Sequence, residues 1–84
     1  MYSTFVLVSL KDKKFYTGLT ASLKLRFEQH NKGFVESTKD RRPFELIYYE
    51  ACFDERGAIR REKYLKTYHG KMFLKRRLKS YLTG

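Results

Sequence analysis

Tyr2-Ser-Thr-Phe-Val-Leu-Val-Ser9, followed after a short break by Phe15-Tyr-Thr-Gly18, is the stretch on which the fold turns. The first run is apolar and rich in β-formers, so it reads as a strand. Lys11-Asp12-Lys13 is a polar turn, and Phe15–Gly18 resumes extended chain, giving a hairpin with a slightly longer than minimal loop. Beyond it, Ser22 is placed to cap a helix from Leu23 to about Lys32, closed by Gly33. Phe34–Pro43 is a polar, basic loop. Phe44–Ala51 is the clearest strand in the chain. Asp54 caps a second helix running to about Tyr68, with Gly57 in its first turn. Gly70 is expected to break the chain before a third, basic helix over Lys71–Leu82. The order ββαβαα predicts an α+β domain: a small three-stranded sheet packed with helices.

The 84 residues allow one small domain, spanning 1–84, whose core must be efficient because so short a chain buries only roughly 60–65% of its unfolded surface. Seven Tyr and seven Phe help to build that core. Apolar residues are too frequent for a disordered chain, and none of their runs is long enough to span a membrane. Met1–Leu10 lacks the basic start and cleavage site of a secretory signal. The one cysteine, Cys52, cannot form an internal disulfide, which points to a reducing, cytoplasmic compartment. With 19 Lys+Arg against 9 Asp+Glu, the net charge is +10, and the natural partner is a polyanion. Charge alone does not separate a nucleic-acid binder from an enzyme acting on nucleic acid, or either from a basic ribosome-associated protein.

Candidate chemistry comes from polar groups on apolar faces. Ala58, Ile59, Leu65 and Tyr68 form one stripe of the second helix, and Glu62 falls in its middle. A carboxylate facing inward must be paired, hydrogen-bonded or bound to a metal, so it is either half of an ion pair with Arg26 or a lysine, or a ligand. On the first helix, Leu23, Phe27 and His30 share a face, and Arg26 lies between them. Tyr16 sits in the hairpin. Singly, each of these is more often structural. Together they offer a phenol, a guanidinium, an imidazole and a carboxylate, a set able to cleave phosphodiesters if it converges.

Those residues also stand in a known pattern. Lys14-Phe-Tyr-Thr-Gly-Leu-Thr20, Leu23-Lys-Leu-Arg-Phe-Glu-Gln-His-Asn31, Arg41-Arg-Pro-Phe-Glu-Leu-Ile-Tyr-Tyr49 and Ala58-Ile-Arg-Arg-Glu-Lys-Tyr-Leu-Lys66 resemble a GIY-YIG nuclease domain, over roughly residues 2–78. The resemblance is closest to the small stand-alone bacterial members. Position by position, the family's second tyrosine falls on Tyr16, its catalytic arginine on Arg26, its frequent histidine on His30 and its metal-binding glutamate on Glu62. The resemblance implies a three-stranded antiparallel sheet flanked by helices, and one divalent metal, Mg²⁺ or Mn²⁺. The chain departs at the first motif, where the tyrosine is replaced by Phe5, or by Val6 if the hairpin register is one shorter.

The implied activity is metal-dependent endonucleolytic hydrolysis of DNA, rather than RNA, in repair or recombination. Glu62 would hold the metal and Arg26 would clamp a phosphate oxygen. Tyr16 or His30 would position or deprotonate water, His30 being the better match to neutral pH. Lys39, Arg41 and Arg42 in the loop, and Lys75, Arg76 and Arg77 in the last helix, are expected along the nucleic-acid backbone. The alternative is a weakened or inactive nucleic-acid-binding module on the same fold, motivated by Phe5. The protein is expected to be a monomer or a weak dimer with no membrane partner.

Overall fold

Tyr2–Ser9 forms strand β1, and its residues from Thr4 to Ser9 are all buried. Burial without alternation means that the strand is covered on both faces. In the computed structural model, which describes residues 1–83, β1 is the centre of a three-stranded antiparallel sheet. Strands β2 (Phe15–Thr20) and β3 (Phe44–Cys52) flank it, in the order β2-β1-β3. Helix α1 (Leu23–Asn31) lies between β2 and β3 in sequence, and α2 (Glu55–Leu65), α3 (Tyr68–Arg77) and α4 (Lys79–Thr83) follow β3. The α+β architecture with a three-stranded antiparallel sheet is as expected.

The two faces of the sheet carry separate cores. Phe5 and Leu7 point to one face, where they meet Phe44, Tyr16, Leu23 and Phe27, so α1 covers this side. Val6 points to the other, against Leu65 and Leu74, with Ile47, Tyr48 and Phe73 packed around them. Thus α2 and α3 cover the second side, and the Thr4 hydroxyl donates to the Ala58 carbonyl there at 3.2 Å. A register shift in the β1–β3 ladder between Val6 and Leu7 leaves Ile47 without a partner across from it.

Loops are fixed by short polar side chains. Ser9 Oγ accepts from the backbone N–H groups of Lys11 and Asp12, and Asp12 accepts from that of Lys14, which sets the hairpin turn. The Asn31 side chain donates to the Phe44 carbonyl at 3.1 Å and accepts from its N–H at 2.7 Å, tying the end of α1 to the start of β3. Asp54 caps α2 by accepting from Gly57 N–H, as its position predicts.

Two expectations about helix boundaries need correction. Ser22 precedes α1 but makes no side-chain cap; Thr20 Oγ1 accepts from Ser22 N–H instead. More consequentially, Gly70 does not break the chain. The second helix ends at Leu65, and Thr67 caps a new helix from Tyr68 by accepting from Gly70 N–H. Gly70 lies inside α3 because a Cβ there would overlap the Tyr64 carbonyl and Leu65 Cα. The glycine permits a close helix–helix approach. The expected helix over Lys71–Leu82 therefore begins earlier and is divided at Leu78, which makes the order ββαβααα.

Candidate active site

Leu7 pairs with Tyr16 and Phe5 with Gly18 across the hairpin, so Phe5 and Tyr16 are diagonal neighbours on one face. In this register Phe5, and not Val6, shares a face with Tyr16. Its ring is 1% exposed, and its para carbon stands 2.5 Å from where a Cβ on Gly18 would be. The glycine of Tyr16-Thr17-Gly18 is thus the space into which the Phe5 ring fits.

His30 is the only buried residue of α1. Its ring sits among Phe5, Tyr16 and Phe44, at centroid distances of 5.9, 4.9 and 5.9 Å. Nδ1 is 2.8 Å from the Thr38 hydroxyl, while Nε2 is buried without a hydrogen-bond partner. Burial, with a smaller contribution from the positive charge of Arg26, pushes the imidazole pKa down to about 4. His30 is therefore neutral at physiological pH and shielded from water. Arg26 is half-buried one turn earlier, and its guanidinium donates to Gln29 Oε1 at 3.3 Å. Tyr16, Arg26 and His30 are thus gathered on the α1 side of β2.

Glu62 lies on α2, on the opposite face of the sheet. It sits between the buried Ala58 and Leu65, which places it on the inward stripe as expected, with 20% of its side chain exposed. Its ion-pair partner is Lys66, at 3.3 Å, rather than Arg26. Lys66 and Leu65 line a depression of about 230 Å³ together with Phe15, Tyr16 and Thr17. The predicted set is thus divided between the two faces of the sheet, with Tyr16 and the Glu62 partner Lys66 bordering the same depression beside the edge strand β2.

No group of three or more His, Cys, Asp or Glu residues able to cage a metal occurs among the described residues. A single half-buried carboxylate instead suits a hard cation that keeps most of its water, as Mg²⁺ does. The present partner, Lys66, is 55% exposed. The donor set fits one Mg²⁺ or Mn²⁺ and does not fit a closed zinc or calcium site.

The expected backbone contacts divide into two groups. Arg41 is bound to Asp12 at 2.8 Å and also donates to the Lys14 carbonyl; the Arg41 hydrogen bond first, and the Lys14 N–H second, hold the Asp12 carboxyl pKa down to about 2. Arg42 donates to the Lys39 carbonyl, and Lys39 pairs with Glu36. These three cations brace the loop. Lys75, Arg76 and Arg77 are exposed on α3. Sequence reasoning missed Thr38, whose contact with His30 has no local signature, and the lysines Lys13, Lys14, Lys66 and Lys71 beside β2.

Residues 1–79 match the family model described as the GIY-YIG catalytic domain. A UPF0213 protein of Staphylococcus haemolyticus is 39% identical over 70 residues, covering 82% of this chain and 85% of that protein. A UPF0213 protein of Staphylococcus aureus is 40% identical over 70 residues, covering 81% and 85%. The solution NMR structure of the UPF0213 protein BH0048 from Bacillus halodurans superposes with a TM-score of 0.52 at 28% identity, covering 88% of this chain and 82% of that one. With the sheet order, the Tyr16–Gly18 hairpin and the α1 and α2 positions all in place, the chain belongs to the GIY-YIG family, a family of nuclease domains.

Proposed function

We propose that the protein is a divalent-metal-dependent endonuclease acting on DNA. The observation that carries this reading is that Lys66, the ion-pair partner of the half-buried Glu62, borders the same depression beside β2 as Tyr16, whose ring packs on His30, one turn of α1 from Arg26. A Mg²⁺ or Mn²⁺ held by Glu62 would supply electrostatic stabilisation to the leaving oxygen and the phosphate. Arg26 would donate to a non-bridging phosphate oxygen and offset the charge that grows on it. Tyr16 would orient the attacking water. His30 acts on Tyr16 rather than on water, because its ring is buried and its weak basicity suits a packing partner more than a proton acceptor.

The test is cleavage of nicked, branched and single-stranded DNA with Mg²⁺, with Mn²⁺ and with EDTA. Cleavage that requires metal and is lost in Glu62→Ala supports the nuclease. The Glu62–Lys66 ion pair and the Phe5 ring favour a second reading, a binding module without activity. Undiminished DNA binding with no cleavage on any substrate or metal would establish that reading instead.

A further inference from the structure

The depression beside Tyr16 does not end there. A larger one, about 440 Å³, is lined by Lys13, Lys14, Phe15, Lys71, Lys75 and Leu82. The two share Phe15 and Lys71, so they form one groove along β2. It runs from Lys66, the partner of Glu62, to the hairpin turn and α4. No carboxylate lines either part. Among the described residues, Lys13, Lys14, Lys71 and Lys75 form no ion pair. The floor between these ammonium groups is apolar, built by Phe15 and Leu82.

We infer that this groove takes a single-stranded polynucleotide flank, its phosphates on the lysines and a base against Phe15 and Leu82. A duplex keeps its base faces stacked inside and offers only phosphates to such a surface, leaving the apolar floor unused. An unpaired strand offers both chemistries at the spacing of successive nucleotides. A bilayer surface is flat and fits a concave floor poorly. The inference rests on the nuclease reading only in that the groove leads toward Glu62; binding needs no cleavage.

The experiment is fluorescence anisotropy in EDTA. It uses the full chain, a labelled single-stranded 12-mer and a blunt duplex of the same length, over a series of salt concentrations. The single strand is expected to bind at least about fivefold more tightly than the duplex. Lys14→Gln with Lys71→Gln should weaken single-strand binding about tenfold and flatten the log–log salt slope by about 1.4, for two lost phosphate contacts. Phe15→Leu, and Leu82→Ser at an exposed site, should weaken the single strand and spare the duplex. Lys24→Gln with Lys63→Gln, on exposed positions away from the groove, should change neither. Equal affinity for both substrates, or a Lys14/Lys71 variant that behaves like the Lys24/Lys63 control, overturns the inference. Because EDTA removes cleavage from the measurement, failure of the nuclease reading leaves this result standing. Groove variants that bind normally while metal-dependent cleavage persists would remove the groove alone.

Discussion

The rings of Tyr16 and His30 lie with centroids 4.9 Å apart and planes inclined at 55°, and the histidine is sealed beneath the tyrosine. His30 is held in place by Thr38 and has its pKa lowered from 6.5 to about 4, by burial first and by Arg26 second. A depressed histidine pKa stabilises the fold fully above its unfolded value. As pH falls below about 6.5, the unfolded chain gains a proton that the folded one refuses, and the stability contributed is lost progressively until about 4. The loss is on the order of 3 kcal/mol. Denaturant titrations between pH 7 and pH 4.5 should show a steady decline that His30→Phe flattens. Asp12 and Glu50, both with lowered pKa values, lose their contributions from their ordinary carboxylate values of 3.8 and 4.5 downward, so the decline above about pH 5 is not theirs. In Arg26→Gln the His30 titration, followed by NMR, should move upward.

Glu62 separates chemistry from stability. Its ion pair with Lys66 is an i,i+4 contact on a helix surface and is worth only about 0.3–0.5 kcal/mol. Glu62→Gln should therefore melt within about 3 °C of the unsubstituted protein. Under the nuclease reading it should lose metal-dependent cleavage by at least about a hundredfold, the scale of removing one preorganised electrostatic contact. Parallel losses of melting temperature and activity would show instead that Glu62 acts through the fold.

Phe5 provides a gain-of-function test. Its para carbon lies over Gly18, on the face of the hairpin that Tyr16 shares. Phe5→Tyr should raise the cleavage rate if the missing hydroxyl limits turnover. A rate that is unchanged or lower assigns the limitation elsewhere.

Two glycines should tolerate alanine very differently from a surface glycine. Gly18→Ala would press on the buried Phe5 ring, and overpacking of this kind costs about 1–3 kcal/mol. Gly70→Ala would strike the backbone of Tyr64 and Leu65, which cannot rotate away, so its cost should reach the upper end of that range or exceed it. Thermal melts should rank the two in that order, at roughly 4–8 °C per kcal/mol for a domain of this length.

Much of this architecture is written in local signals. The apolar run of β1, the Asp54 cap and the Gly33 turn, where φ is +79°, sit where residue chemistry alone puts them. Gly70 was misleading because a glycine that ends a helix and one that admits a neighbouring backbone look the same in a sequence; only the approach of Tyr64 distinguishes them. For the site, the residue types at positions 16, 26, 30 and 62 were legible through their spacing and family pattern. Their partners were not. Thr38 reaches His30 from the loop after α1, and the groove lysines come from the hairpin and from the Lys66–Lys75 stretch, which meet only along the folded sheet edge. Arg41 and Arg42 show the reverse: a dense cationic run in the sequence proves to be engaged by neighbouring carboxylate and carbonyl oxygens.

The close backbone approach at Gly70 seats α3 directly on the end of α2, and this helix pair carries Glu62, Lys66, Lys71 and Lys75. Lys13 and Lys14 ride on a different piece, the β1–β2 hairpin. Any widening of the groove would therefore part the hairpin from the helix pair along the line where Phe15 and Leu74 border the same depression.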